Sequence, residues 1–217
     1  MKQPKNLLIS EDVSAAIKTV RKLGVRVLLN KNICKIYGNG ISGLKFKKNI
    51  TLNAENSGTL GRLILGFLIN TSHPIRLIGD KSLSKRDFRR VSDPLSKFGA
   101  RFKLHKGKNL PLTIHGSSNL KSIKYEEKRG SAQCKSAVIF GGMQSNGTTI
   151  IRAKKSRNHT ELLCKYLKLP VTIKNKKYYD EIKVNKVNKI KTLNYNIPSD
   201  ISSSAFFIVL TALSSNS

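Results

Sequence analysis

Three stretches of the chain resemble one another: Ser57-Gly-Thr-Leu-Gly-Arg-Leu-Ile-Leu-Gly-Phe-Leu68, Ser131-Ala-Gln-Cys-Lys-Ser-Ala-Val-Ile-Phe-Gly-Gly142 and Ser202-Ser-Ser-Ala-Phe-Phe-Ile-Val-Leu-Thr-Ala-Leu213. Their starts lie 74 and 71 residues apart, so the chain is built on an internal repeat, and any fold must place these copies in equivalent positions. Each copy opens with small polar residues able to cap a helix and then runs apolar nearly all the way round. Helices of that kind belong inside a protein.

A second type of helix lies between them. Ser10 to Leu23 has Ser10 as N-cap, Glu11 and Asp12 in its first turn, Val13, Ile17 and Val20 at helical spacing, and Gly24 as its stop. Asp87 to Phe98, stopped by Gly99, and Asn158 to Leu167 follow the same amphipathic outline, with Pro94 predicting a kink or an early end in the former. After each come paired β segments: Val25 to Leu29 with Ile33 to Tyr37, Arg101 to Leu104 with Pro111 to His115, and Val171 to Ile173 with Glu181 to Val184. The predicted class is α/β, in repeated βαβαββ units with buried helices. Two units are nearly complete, Lys48 to Gly116 and Ile123 to Val184. The first unit is expected to lack its front half, and a fourth to begin near Leu193. The expected domains are 1–192, incomplete at its front, and 193–217, the start of a second.

Charge and apolar content limit the function classes. The formal net charge is +29, but Lys outnumbers Arg and is spread through the chain among strand-like residues. That pattern is a solvated face rather than a nucleic-acid arm, and it favours small anionic ligands. No run of eighteen apolar residues occurs, and the opening MKQPKNLLIS is too short in apolar residues for a secretory signal, so a cytoplasmic protein without membrane partners is expected. Cys34, Cys134 and Cys164 lack metal-ligand spacing and read as reduced packing residues. No metal is expected.

The small residues that open the apolar helices leave backbone N–H groups approachable, where the helix dipole favours an anion. Ser57-Gly58-Thr59 is followed by Arg62, and Ser131-Ala132-Gln133 by Lys135, each adding a cation to such a site. The same residues are also what ordinary capped core helices require. Gly79 to Arg86 sets three cations and two hydroxyls in one loop, and Ser156-Arg157-Asn158-His159-Thr160-Glu161 occupies the equivalent loop of the next unit.

Five ordered motifs carry a resemblance: Asn56-Ser-Gly-Thr with Arg62; Gly79-Asp-x-Ser-Leu-x-x-Arg86 with Arg90-Val91 and Pro94-Leu95; Ser131-Ala-Gln-x-Lys-Ser136; Ser156-Arg-x-His-Thr-Glu161; and Pro198-x-Asp-Ile-Ser-Ser203. In order and spacing the chain resembles the EPSP synthases, from about Leu7 to Leu213. The resemblance implies an inside-out α/β barrel architecture with two domains of three units each, usually monomeric and without a cofactor. It implies transfer of the enolpyruvyl group of phosphoenolpyruvate to the 5-hydroxyl of shikimate 3-phosphate. Carried over by position, Ser131, Ala132, Gln133, Ser156 and Arg157 would hold shikimate 3-phosphate. Gly58, Arg86 and Gln133 would hold phosphoenolpyruvate, with Asn56, Thr59 and Arg62 supporting the anion site.

Some family features are not matched. The family's early Lys-bearing anion loop and its second-domain Asp and Glu have no counterpart in this sequence, so no catalytic residue is assigned and the chain by itself is expected to be inactive. Glu55, Asp87 and Asn158 replace a usual Gly, Pro and Asp, and Glu55 would bring a negative charge near an anion site. The related UDP-N-acetylglucosamine enolpyruvyl transferases share the repeat, but Ser131-Ala-Gln and His159-Thr-Glu speak against them. A basic RNA-binding module is the alternative from another class, and it predicts salt-dependent RNA affinity with no need for small residues at the helix starts.

Overall fold

Alternation of inward and outward side chains defines the longer strands of the computed structural model. It describes residues 3–31, 33–40, 43–192, 194–198, 209, 211 and 213. The chain opens with β1 (Gln3–Lys5), α1 (Glu11–Lys22), β2 (Arg26–Asn30) and β3 (Ile33–Tyr37). One full unit follows as β4 (Ile50–Asn53), α2 (Gly58–Leu68), β5 (Ile75–Ile78), α3 (Arg89–Ser96), β6 (Arg101–His105) and β7 (Asn109–His115). The next is β8 (Lys124–Glu127), α4 (Ala132–Gly142), β9 (Thr149–Lys154), α5 (His159–Tyr166), β10 (Val171–Asn175) and β11 (Tyr179–Val184), followed by β12 (Asn194–Asn196). Both units therefore have the predicted order βαβαββ.

Their sheets are topological copies. The first is ordered β4-β5-β7-β6 and the second β8-β9-β11-β10. In each, the strands flanking the apolar helix are parallel and the remaining pairs antiparallel. A parallel pair needs a crossover, and the apolar helix supplies it. In β7, Leu110, Leu112 and Ile114 point inward; in β9, Thr149, Ile151 and Ala153 do so. β2 and β3 form the antiparallel pair that corresponds to β6–β7 and β10–β11, and β1 pairs in parallel with β12. The sheets do not close into a barrel among the described residues.

The two apolar helices are the interior. Ile64, Leu65 and Leu68 of α2 and Ala137, Val138 and Ile139 of α4 are buried, with Phe88 and Phe98 from the flanks of α3 filling beside them. Each such large side chain contributes about 1.5–3 kcal/mol of transfer free energy. The helices cross where Gly66 meets Ala137. A Cβ on Gly66 would stand 2.3 Å from the Ala137 carbonyl oxygen, so only hydrogen fits. Gln144 Nε2 donates to the Gly66 carbonyl at 2.7 Å and to that of Phe140 at 3.0 Å, fastening the same crossing from its other end.

Several sequence expectations need adjusting. The Ser10 cap is made, its hydroxyl accepting from Val13 N, and Gly24 sits at φ +84° as the stop. The helix predicted from Asp87 to Phe98 covers only Arg89–Ser96, because the Asp87 carboxylate accepts from Arg89 N at 2.8 Å and forms a turn before the helix. Pro94 lies within the helix and does not break it. The third apolar segment, Ser202 to Leu213, falls mostly outside the described residues. Val209, Thr211 and Leu213 are helical, and Val209 and Leu213 are exposed rather than buried. Asp200 to Ser203 of the fifth motif also lie outside. The three cysteines are free and buried, and no helix among the described residues is long and apolar enough to cross a membrane.

Candidate anion-binding site

The N-terminal ends of α2 and α4 meet the loops before α3 and α5 around a cleft of about 670 Å³. Arg62, Arg86, Asp87, Arg90, Gly130, Ser131, Ala132, Gln133, Ser156 and Arg157 line it. The helix starts follow from local chemistry. Ser57 and Ser131 adopt extended backbone conformations, and each hydroxyl accepts from the amide three residues on, Leu60 N at 3.2 Å and Cys134 N at 3.3 Å. Behind Ser131, buried Glu127 accepts from Ser131 N at 2.8 Å and from Arg129 N at 3.2 Å, while Gly130 turns the chain at φ +73°. This carboxylate sets the angle at which the α4 N-terminus enters the cleft.

Gln133 spans the two helices. Its Nε2 donates to Thr59 Oγ1 at 2.9 Å, and its Oε1 accepts from Arg62 Nη1 at 2.9 Å. Arg62 also reaches the Gly58 carbonyl at 3.3 Å and lies over the Phe88 ring. A Cβ on Gly58 would come within 2.8 Å of Arg62 and 2.9 Å of Arg86, at the tips of both guanidiniums, so a larger residue here would push both aside in the cleft. Burial depresses the pKa of Arg62; Cys134 opposes this, and the neighbouring charges of Arg90 and Arg86 add to it. Four guanidiniums facing one cleft repel one another until an anion enters.

Two polar atoms at the cleft wall, Arg90 Nε and Ser156 Oγ, are buried without a hydrogen-bond partner. Buried donors of this kind are normally satisfied. The lining carboxylate, Asp87, is bound by Arg89 at 2.8 Å, and that hydrogen bond holds its pKa below the usual carboxylate range. The arrangement is therefore suited to binding and orienting an oxyanion with amides, hydroxyls and guanidiniums. No cluster of His, Cys, Asp or Glu suited to a metal occurs among the described residues.

Of the residues singled out from the sequence, Ser131, Ala132, Gln133, Ser156, Arg157, Arg86 and Arg62 line the cleft. Gly58 and Thr59 stand directly behind the lining through Arg62 and Gln133. Asn56 is exposed and outside it. Lys135 corrects the sequence reading: it adds no cation to the site but is fully buried against Glu161. Glu55 is also outside the lining, exposed and held at φ +49° by its turn. Arg90 and Glu127 had been given no role. Arg90 stands in the same motif as Arg86, which could have flagged it, and Glu127 is an acidic residue four positions before a cap serine.

A family model described as EPSP synthase (3-phosphoshikimate 1-carboxyvinyltransferase) matches residues 3–217. The chain belongs to the EPSP synthase family. It is 37% identical, over 98% of its length, to the 3-phosphoshikimate 1-carboxyvinyltransferase of Leuconostoc mesenteroides, of which it covers 48%. With that of Caldicellulosiruptor bescii it shares 40% identity over 96% of its length and 48% of the relative. A solved structure of EPSP synthase from Acinetobacter baumannii superposes with a TM-score of 0.86 at 32% identity, covering 96% of this chain and 46% of that one. The chain thus spans about half the length of the EPSP synthases it matches, and the mixed sheets agree with a partial domain of that fold.

Proposed function

We propose that this chain forms the anion-binding half of an EPSP synthase active site, in which the enolpyruvyl group of phosphoenolpyruvate is transferred to the 5-hydroxyl of shikimate 3-phosphate with release of phosphate. The observation that carries this reading is the convergence of Arg62, Arg86, Arg90 and Arg157 on the open N-terminus of α4. In the proposal, Ser131, Ala132 and Gln133 hold shikimate 3-phosphate, with Ser156 and Arg157 at its phosphate. Gly58, Arg86 and Gln133 receive phosphoenolpyruvate, and Thr59 and Arg62 keep Gln133 oriented toward both.

The transfer needs a proton delivered to the enol carbon, a proton taken from the attacking hydroxyl, and loss of phosphate from the tetrahedral intermediate. The cleft residues described here bind and orient; their one carboxylate is already engaged by Arg89. The chain alone is therefore expected to bind without turnover, proton transfer coming from groups of a second domain. We place the start of that domain near residue 193, with residues 1–192 as the first.

Isothermal titration of the chain with shikimate 3-phosphate tests the reading. Binding is expected, and Gln133→Ala and Arg157→Ala should each weaken it at least tenfold, as loss of a hydrogen bond to a charged group does (about 1.5–3 kcal/mol). Unchanged affinity in both variants would overturn it.

A further inference from the structure

Lys135 and Glu161 form an ion pair at 2.6 Å, and both are almost completely buried. Beside it, Ser136 Oγ and Thr160 Oγ1 are hydrogen-bonded at 2.7 Å. Two consecutive residues of α4 are thus tied to two consecutive residues of α5. One turn before Lys135 lie Ser131, Ala132 and Gln133; one turn before Glu161 lie Ser156 and Arg157. The double tie joins the two walls of the cleft just below their rims, and none of its four members lines the cleft.

Stability does not account for this pair. Burying two charges costs more than their attraction returns unless further hydrogen bonds complete them, and well-packed apolar residues of similar volume often do better. Here Lys135 Nζ and Glu161 Oε2 are buried without any aligned hydrogen-bond partner. What a charged pair supplies and an apolar contact does not is one preferred separation and register.

We propose that Lys135 and Glu161 are positioning residues: their contact, with Ser136–Thr160, fixes the distance between the α4 amides and the Ser156–Arg157 loop, and so tunes the site to a phosphate bridging both walls. This rests on the function proposed above. It adds a demand that the gap be held by the buried pair and not by packing alone.

The decisive variant is Lys135→Met with Glu161→Leu, compared with Lys135→Met and Glu161→Gln alone. Each single change should lower the melting temperature, and the apolar double should recover it. If the pair positions the walls, the recovered double still binds shikimate 3-phosphate about tenfold more weakly, the size of effect that supporting contacts carry at other ligand sites. Its amides at 131–134 and 156–160 should also exchange hydrogen faster without ligand, while those of β6 and β7 do not change. Wild-type affinity and exchange in the stable double would overturn the proposal and leave the pair a packing element. Should the double not fold, Ser136→Ala with Thr160→Val removes the second tie alone; faster exchange confined to the same amides supports positioning, and unchanged exchange overturns it. Should the unaltered chain fail to bind shikimate 3-phosphate, the functional reading falls by itself, and hydrogen exchange alone decides this one.

Discussion

The starts of α2 and α4 are copies of one sequence element, yet their cations do opposite things. Both helices are capped by a serine hydroxyl three residues upstream of its amide partner. Arg62 lies five positions after its cap and Lys135 four. At about 100° per residue around a helix, that single step swings the side chain by about 100°. Arg62 turns into the cleft and grips Gln133, while Lys135 turns away into the contact with α5. A repeat conserves the backbone site readily; which side chain serves it depends on phase.

The largest expected effect separates these two cations by stability. Lys135→Ala should lower unfolding free energy by about 3–5 kcal/mol in urea denaturation, because it strands the Glu161 carboxylate. Arg62→Ala should cost less, about 1.5–3 kcal/mol for hydrogen bonds made by a charged group, while removing most anion affinity. If both variants were equally unstable, the contrast between a cleft cation and a structural one would break.

The next effect probes how dry the α5 side is. Burial pushes the Cys164 thiol up to about 11, with Glu161 adding to the rise. An unfolded chain releases that proton near pH 8.5, so the folded state keeps it longer. Stability is full below that pH and falls as pH rises toward 11, by about 2.5 kcal/mol at pH 10.5. Buried Cys34 and half-buried Tyr125 shift in the same direction. Cys164→Ala should flatten the alkaline limb of a pH series of melts; a limb of unchanged steepness would mean that water reaches α5.

The smallest effect tests what the two starts share. Ser57→Ala and Ser131→Ala should each cost about 1 kcal/mol, and nearly the same amount, since their caps are geometrically alike. A larger loss at Ser131 would assign extra weight to the Glu127 brace, which accepts from the Ser131 amide.

The contrast also explains what could be read from the sequence. The period of the apolar copies, the capping serines and the glycine stops are local signals, and they anticipated the βαβαββ order of both units and the starts of α2 and α4, whereas Ser156 and Arg157 were assigned to the site only through the motif resemblance. Lys135 was misread because a cation near a helix start suggests an anion site unless its partner is known, and Glu161 is 26 residues away. Glu127 escaped because the donors it accepts from are backbone amides, which any sequence has. The start of α3 was set two residues too early because Asp87 looks like an ordinary first-turn acid until its turn with Arg89 is seen.

One consequence of the helix crossing concerns how the sequence can change over generations. Every single-base replacement in a glycine codon that alters the residue adds at least a Cβ, and position 66 has no room for one against the Ala137 carbonyl. The codon thus has no neighbouring amino acid to drift into. Beside it, Phe67 is partly exposed against Phe140 and has latitude. Adjacent codons in the middle of one helix should therefore accumulate substitutions at very different rates.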